Sequence, residues 1–296
     1  MSHQQSQTVS GARWIGSEDR GTVLSYSGSI LLGSRMTGMT AIALCYTKFG
    51  YVMAADGRAR NDPAKPDYEP KEDAQKIFGI VGSDKMLAVG LMGEIIKLPD
   101  GSFDLVAEIA KQKARLANLN FKNLRAYVDK LGDNLAPIFD QGWKDGILDP
   151  WEESDPNDEN DDLIARLIFA GYFNHRPQSA HLEFRYRNNK AEPKADNILL
   201  SPGQLVLAAP PGIKELIEND PQFSDYRKPT GPDIPIEGAR VFVTSWIEAC
   251  GSSLAVKLIP KCASVGGDTH VAAITPSEGF HWLTPPRSFD ESWPQT

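Results

Sequence analysis

Between Thr40 and Asp56 the chain carries two apolar runs of strand length with a single turn between them. Thr40-Ala-Ile-Ala-Leu-Cys-Tyr46 and Tyr51-Val-Met-Ala-Ala55 hold almost no charged side chains. The intervening Lys48-Phe-Gly50 ends in a residue free to take positive φ. The pair reads as a buried hairpin, and a hairpin this apolar has to be covered by further layers. Asp56 follows directly, where a side chain is held by the strand and still stands at its end.

The rest of the chain supplies those layers. Lys76-Ile-Phe-Gly-Ile-Val81 and Met86-Leu-Ala-Val-Gly-Leu91 read as strands joined by a turn at Gly82-Ser-Asp-Lys85. Ser102 is placed to cap a helix over 103–118, in which Leu105, Ile109 and Leu116 share a face. Asn120 is placed to cap a second helix, with Leu124, Val128, Leu131 and Leu135 at spacings of three and four. Strands resume at 163–173, 181–186 and 205–209, and a short helix follows at 213–218. The stretch 220–236 is proline-rich and reads as loop. A long helix is expected over 240–259, and a closing hairpin at 269–274 and 280–283. Strands, helices, strands, helices and strands in grouped runs predict an α+β domain of antiparallel sheets with helices outside.

Composition narrows the function classes. The chain has 296 residues and a net charge of −8, which argues against a nucleic-acid or anionic-membrane partner. Eight acids, and no base, lie in 149–162 alone. That run lacks the ordered spacing and central glycine of a calcium loop and reads as a solvated insertion. Three cysteines without paired spacing suit a reducing compartment and core packing. Five scattered histidines give no metal-ligand pattern, so neither metal nor cofactor is expected. His270 and His281 read as surface or interface residues. Residues 1–39, rich in Gly, Ser, Gln and Thr, read as a leader or propeptide, 40–285 as the folded domain and 286–296 as a tail. Without the basic-then-apolar order of a secretory signal, cytoplasm is the expected location.

The segment from Thr40 to Arg58, ending Ala54-Ala-Asp-Gly-Arg58, resembles the opening of proteasome β-type subunits, members of the N-terminal-nucleophile hydrolases. Asp73-Ala-Gln-Lys-Ile-Phe-Gly-Ile80, Ala88-Val-Gly-Leu-Met-Gly-Glu94 and Gly266-Gly267 with the last hairpin are similar to three later motifs of that family, in order and at matching spacing. The resemblance implies a four-layer αββα sandwich and a threonine peptidase or amidohydrolase. It implies Thr40 as nucleophile, Asp56 and Lys76 as catalytic partners, Gly90 as oxyanion donor and Arg58 as a supporting residue. It also implies a peptide or amide substrate, a homo-oligomeric ring and, as a further expectation, an ATPase partner.

The chemistry is coherent on its own terms. A threonine hydroxyl needs a base. If Thr40 becomes the first residue, its α-amine, with an unperturbed pKa of roughly 7.7–8.0, can serve near neutral pH. A lysine cation beside the hydroxyl would stabilise the alkoxide, and a buried lysine keeps its charge only when paired, here by Asp56. The second shell departs from the family pattern. Lys261-Cys-Ala-Ser-Val-Gly-Gly267 lacks the usual carboxylate, and Pro210-Pro-Gly212 stands where a serine is expected. Met39 precedes Thr40 in place of the usual glycine, so either self-cleavage or an aminopeptidase would expose Thr40. A catalytically inactive structural subunit and a small-molecule amidase are the alternative readings.

Overall fold

In a computed structural model, which describes residues 40–59, 72–82, 85–92, 103–148, 162–188 and 190–287, the expected hairpin forms from β1 (Ile42–Thr47) and β2 (Gly50–Asp56). Ile42 stands opposite Ala55 and Thr47 opposite Gly50. Gly50 has φ +149°, and a Cβ there would come within 2.5 Å of the Ile274 carbonyl oxygen, so the turn requires glycine. The expected leader, most of the acidic run and nearly all of the tail lie outside the described residues, which belong to one compact unit.

Two five-stranded antiparallel sheets make up the middle of the molecule. The first has the order β10-β9-β2-β1-β8 and adds β8 (Leu205–Ala208), β9 (Thr269–Thr275) and β10 (Gly279–Thr284) to the hairpin. The second has the order β3-β4-β5-β6-β7, from β3 (Ile77–Gly82), β4 (Lys85–Met92), β5 (Asp162–Phe173), β6 (Arg176–Arg187) and β7 (Lys190–Asn197). Ile42, Leu44, Met53 and Ala272 of the first sheet meet Ile77, Ala88, Ile168 and Ala170 of the second.

Helices cover the two outer faces. α1 (Leu105–Leu116) and α2 (Leu124–Lys144) lie on the second sheet, where Leu131, Leu135 and Phe139 pack with Leu182 and Phe184. α3 (Ile213–Asn219), α4 (Ile236–Cys250) and α5 (Ser253–Leu258) cover the first, where Phe242, Val243 and Trp246 pack on Ala43, Val52 and Ala54. The result is the expected αββα sandwich. Each fully buried Leu, Ile or Phe side chain contributes about 1.5–3 kcal/mol to its stability.

Several boundaries differ from the sequence reading. The first helix is capped by Asp104, whose carboxylate accepts from the Ala107 N–H at 2.8 Å, and Ser102 lies outside the described residues. The second is capped by Asn123 rather than Asn120, because Asn123 Oδ1 reaches the Ala126 N–H at 2.9 Å. The long C-terminal helix is two helices. It begins earlier, after Pro235, and breaks at Gly251, where Ser252 caps a new start by accepting from the Ala255 N–H. By length and composition the span Ile236–Leu258 could cross a membrane. Its larger part, α4, packs on β1, β2 and β9 as a core helix. β6 is longer than expected, and β7 was missed because its lysines, acids and Pro193 hide a strand with only two deeply buried positions, Ala191 and Ala195. The proline-rich stretch contains a 3₁₀ turn at Pro221–Tyr226.

Antiparallel order brings the start of β1, the end of β2, the start of β3 and the start of β9 to one end of the sandwich. The residues singled out in the sequence gather there.

Candidate functional site

Asp56 closes β2 and is fully buried. Its Oδ1 accepts from the Ala41 N–H at 2.8 Å and from Lys76 Nζ at 3.0 Å, and its Oδ2 accepts from the Gly266 N–H at 3.2 Å. Lys76, 1% exposed, enters from the residue before β3 and also donates to the Arg58 carbonyl oxygen. Burial raises the Asp56 pKa, and the Lys76 charge and the three donors oppose that rise. Burial lowers the Lys76 pKa, and the Asp56 charge opposes that fall. Each charge is what keeps the other ionised out of water.

Ala41 is the link to Thr40. Its N–H belongs to the peptide that joins it to Thr40, so one carboxylate oxygen holds both the ammonium and that peptide. Thr40 itself is 1% exposed, one residue ahead of Ala41 at the start of the first strand.

Arg58 ties the loops around this pair. Its guanidinium donates to the Ala263 carbonyl at 2.7 Å and pairs with Glu72 at 3.0 Å, while its N–H donates to the Gly266 carbonyl at 2.8 Å. The glycine pair is required by how closely these loops approach. Gly267 has φ +74°, and a Cβ on it would lie 2.2 Å from the Glu72 carbonyl oxygen.

Gly90 neighbours this group through the strand pairing of β3 and β4. It lies inside β4, opposite Ile77 on one side and Ile168 on the other. Because the Leu91 N–H donates to the Lys76 carbonyl at 2.8 Å, ladder alternation turns the Gly90 N–H toward β5. A Cβ at Gly90 would meet Ile42 Cδ1 and Met53 Sδ, both at 2.9 Å. The missing side chain there lets the two sheets close together.

Two residues that the sequence reading did not place in the site, His270 and Gln75, also belong to this end. His270 was expected as a surface or interface residue and is instead fully buried within the chain. It sits opposite Ala55 and, by strand alternation, on the same face as Ala272 and Ile274, which pack between the sheets. Neither ring nitrogen has a hydrogen-bond partner. Burial pushes its pKa down to about 4, with Asp268 opposing and Lys76 adding to the fall, so the ring is neutral near pH 7. Gln75, next to Lys76, donates to the Ile77 carbonyl at 3.0 Å, yet its Oε1 is buried without a partner. Unsatisfied buried groups cost about 1–3 kcal/mol each. The signal in the sequence was a histidine interrupting the inward positions of an otherwise apolar strand.

The altered second shell is also visible. Cys262 is buried in the apolar layer beneath α4, and the Ser264 hydroxyl donates to the Lys261 carbonyl at 2.8 Å. All three cysteines are free and buried, as expected of core residues. Among the described residues no cluster of His, Cys, Asp and Glu could hold a metal ion.

No family model matches the chain, and no curated protein matches it. Solved structures do. Anbu (ancestral beta-subunit) from Yersinia bercovieri is 14% identical at a TM-score of 0.50, with 83% of this chain and 87% of that chain covered. An Anbu (Gly-1) mutant from Hyphomicrobium sp. strain MC1 is 14% identical at a TM-score of 0.51, with 86% and 90% covered. At such identity the likeness is one of fold, the fold of an ancestral beta-subunit. It corrects the sequence resemblance to the proteasome β-type N-terminal-nucleophile family, since no model of any family matches. In this chain those motifs mark the end of β2 at Asp56 and a tight loop at Gly266-Gly267.

Proposed function

We propose that the chain is a threonine-type amide hydrolase, active once Thr40 is its first residue. The observation that carries this reading is the sharing of Asp56 Oδ1 between Lys76 and the N–H of the Thr40–Ala41 peptide. A cation is held, without access to water, against the start of the first strand. With the preceding residues removed, the Thr40 amine takes the hydroxyl proton as Oγ attacks the carbonyl carbon of an amide. Lys76 lowers the energy of the charge on oxygen. The amine then passes its proton to the departing nitrogen, the C–N bond breaks, and an ester to Thr40 remains. Water, deprotonated by the same amine, releases the acid and restores the hydroxyl. The proposal includes self-assembly of the chain, and sedimentation of the native protein solely as a monomer would count against that part.

The test compares a protein that begins at Thr40 with its Thr40→Ala variant on a panel of peptide amides. Hydrolysis by the first and none by the second is expected. Equal turnover in both would overturn the proposal.

A second reading, a subunit that keeps the fold without the chemistry, is favoured by one observation. The stretch Lys261–Gly267 offers no carboxylate, and the Cys262 side chain is packed among apolar residues. Hydrolysis of no amide by the chain beginning at Thr40, in a preparation shown to be folded, would select this reading.

A further inference from the structure

Lys76 is the inner end of a line of contacts that begins in solvent. Its ammonium donates to the Arg58 carbonyl oxygen as well as to Asp56. The Arg58 guanidinium points outward, where Nε and Nη2 donate to the Glu72 carboxylate at 3.0 and 3.2 Å. Two parallel bonds of this kind fix the plane of a guanidinium. The Arg58 and Glu72 side chains are 32% and 48% exposed, whereas those of Lys76 and Asp56 are closed to water. The Glu72 backbone is held as closely as its side chain. Its carbonyl oxygen accepts from the Asp268 N–H at 2.7 Å, and a Cβ on Gly57 would lie 2.5 Å from that oxygen. Glu72 is therefore wedged between the loop after β2 and the loop before β9. Lys76 follows four residues later, with the Ala74 N–H donating to the Gly57 carbonyl at 2.7 Å on the way.

We propose that Glu72 is a positioning residue for Lys76, acting through Arg58. It orients Arg58, whose carbonyl oxygen receives the ammonium, and it cancels a guanidinium charge that would otherwise oppose that ammonium. Burial lowers the Lys76 pKa most, Asp56 and Glu72 raise it, and Arg58 lowers it further. His270, from β9, also feels the ammonium and is neutral near pH 7. A buried ion pair is in this way governed from the surface, and salt acts on it through the exposed Arg58–Glu72 bridge. The consequence for turnover rests on the proposed hydrolase reading, whereas the effect on Lys76 itself does not.

The experiment reads Lys76 directly. Nitrogen-15 NMR follows the titration of its ammonium in the full chain and in the Glu72→Gln, Glu72→Asp and Glu237→Gln variants. Glutamine keeps the shape of Glu72 and an oxygen for Arg58, so the fold is expected to hold while the charge is lost. Glu237 is the control. It accepts from Arg240 at 2.9 Å in the first turn of α4, about 20 Å along the helix from Gly251, which packs on Gly266. Glu72→Gln should move the Lys76 titration to lower pH by about half a unit, the size of a partly screened surface interaction. Glu72→Asp, which keeps the charge, should restore most of that shift, and Glu237→Gln should produce none. In about 1 M salt, where charges are screened within about 3 Å, the parent and Glu72→Gln should titrate nearly together. In the chain beginning at Thr40, the alkaline limb of kcat/KM should move by the same half unit or so, because Lys76 acts as a cation. A shifted titration in a protein that hydrolyses nothing would sink the hydrolase reading and leave the role of Glu72 standing. A titration unmoved by Glu72→Gln, or moved equally by Glu237→Gln, would overturn the role even in an active enzyme. A lower rate with an unshifted limb would also overturn it, since a mere fastening of the loops predicts that result.

Discussion

The two ends of the sandwich treat their polar groups in opposite ways. At the far end, Tyr51, Asn123, Gln178, Ser179, Asn197 and Ser201 line part of an open groove of about 430 Å³. Gln178 there accepts from the Leu124 N–H at 3.0 Å and donates to the Phe173 carbonyl at 3.1 Å, and the Ser179 hydroxyl donates to the Ile198 carbonyl at 2.8 Å. Those side chains are engaged in joining α2, β5 and the segment after β7. At the Thr40 end there is a buried ion pair, a buried neutral histidine and an amide oxygen with no partner. The contrast separates a groove whose polar side chains are engaged in structural hydrogen bonds from an end where buried polar atoms of His270 and Gln75 are not. The end with costly, incompletely satisfied groups is the one whose composition calls for a functional explanation.

The largest expected effect breaks the ion pair. Lys76→Met strands Asp56 as a buried charge, and a loss of about 3–5 kcal/mol in unfolding free energy is expected from denaturant titration. Lys76→Met combined with Asp56→Asn should recover part of that loss, because no net charge is then left in the core. A double variant no more stable than the single one would show that the pair is less buried than its geometry indicates.

A pH titration of stability sharpens the same contrast through His270. Its folded pKa of about 4 lies below the ordinary 6.5, so the unfolded chain binds the proton more readily. Stability from this group is complete above the unfolded value and is lost as pH falls from about 6.5 toward 4. The loss amounts to about 3 kcal/mol. His270→Leu should flatten the stability curve over that interval by a similar amount, measured by denaturant titrations at several pH values. An unchanged curve would place the histidine in contact with solvent.

The smallest effect belongs to the far end. Ser179→Ala removes a hydroxyl that donates to the Ile198 carbonyl, and a cost of about 1 kcal/mol in stability is expected with no change in amide turnover. A large fall in turnover in that variant would erase the distinction between the two ends.

The architecture was legible in the sequence wherever periodicity was strong. The β1–β2 hairpin, the β3–β4 pair and the stripe on α2 are visible because burial on a regular element leaves a repeating apolar pattern. β7 was not legible, since one face is charged and the other carries Ala191, Pro193, Ala195 and Asn197, none of them a large apolar residue. The break at Gly251 was hidden because apolar residues continue through it. At the site, the pairing of Asp56 with Lys76 was expected from the resemblance and from a buried lysine's need for an opposite charge. The inward turn of His270 did not, because it depends on which face of β9 meets the second sheet, and that is set by pairing with β2 far away in the chain. Spacing also pointed to Gly90 without revealing that its neighbours across the layer, Ile42 and Met53, leave no room for a Cβ.

The most direct test of a nucleophile at Thr40 is tandem mass spectrometry of the chain beginning at Thr40 after treatment with a threonine-directed electrophile. A single adduct on residue 40, absent from Lys76→Met, is the expected result. No adduct on Thr40 in a folded preparation, or equal labelling without Lys76, would contradict a hydroxyl activated at this end of the sandwich.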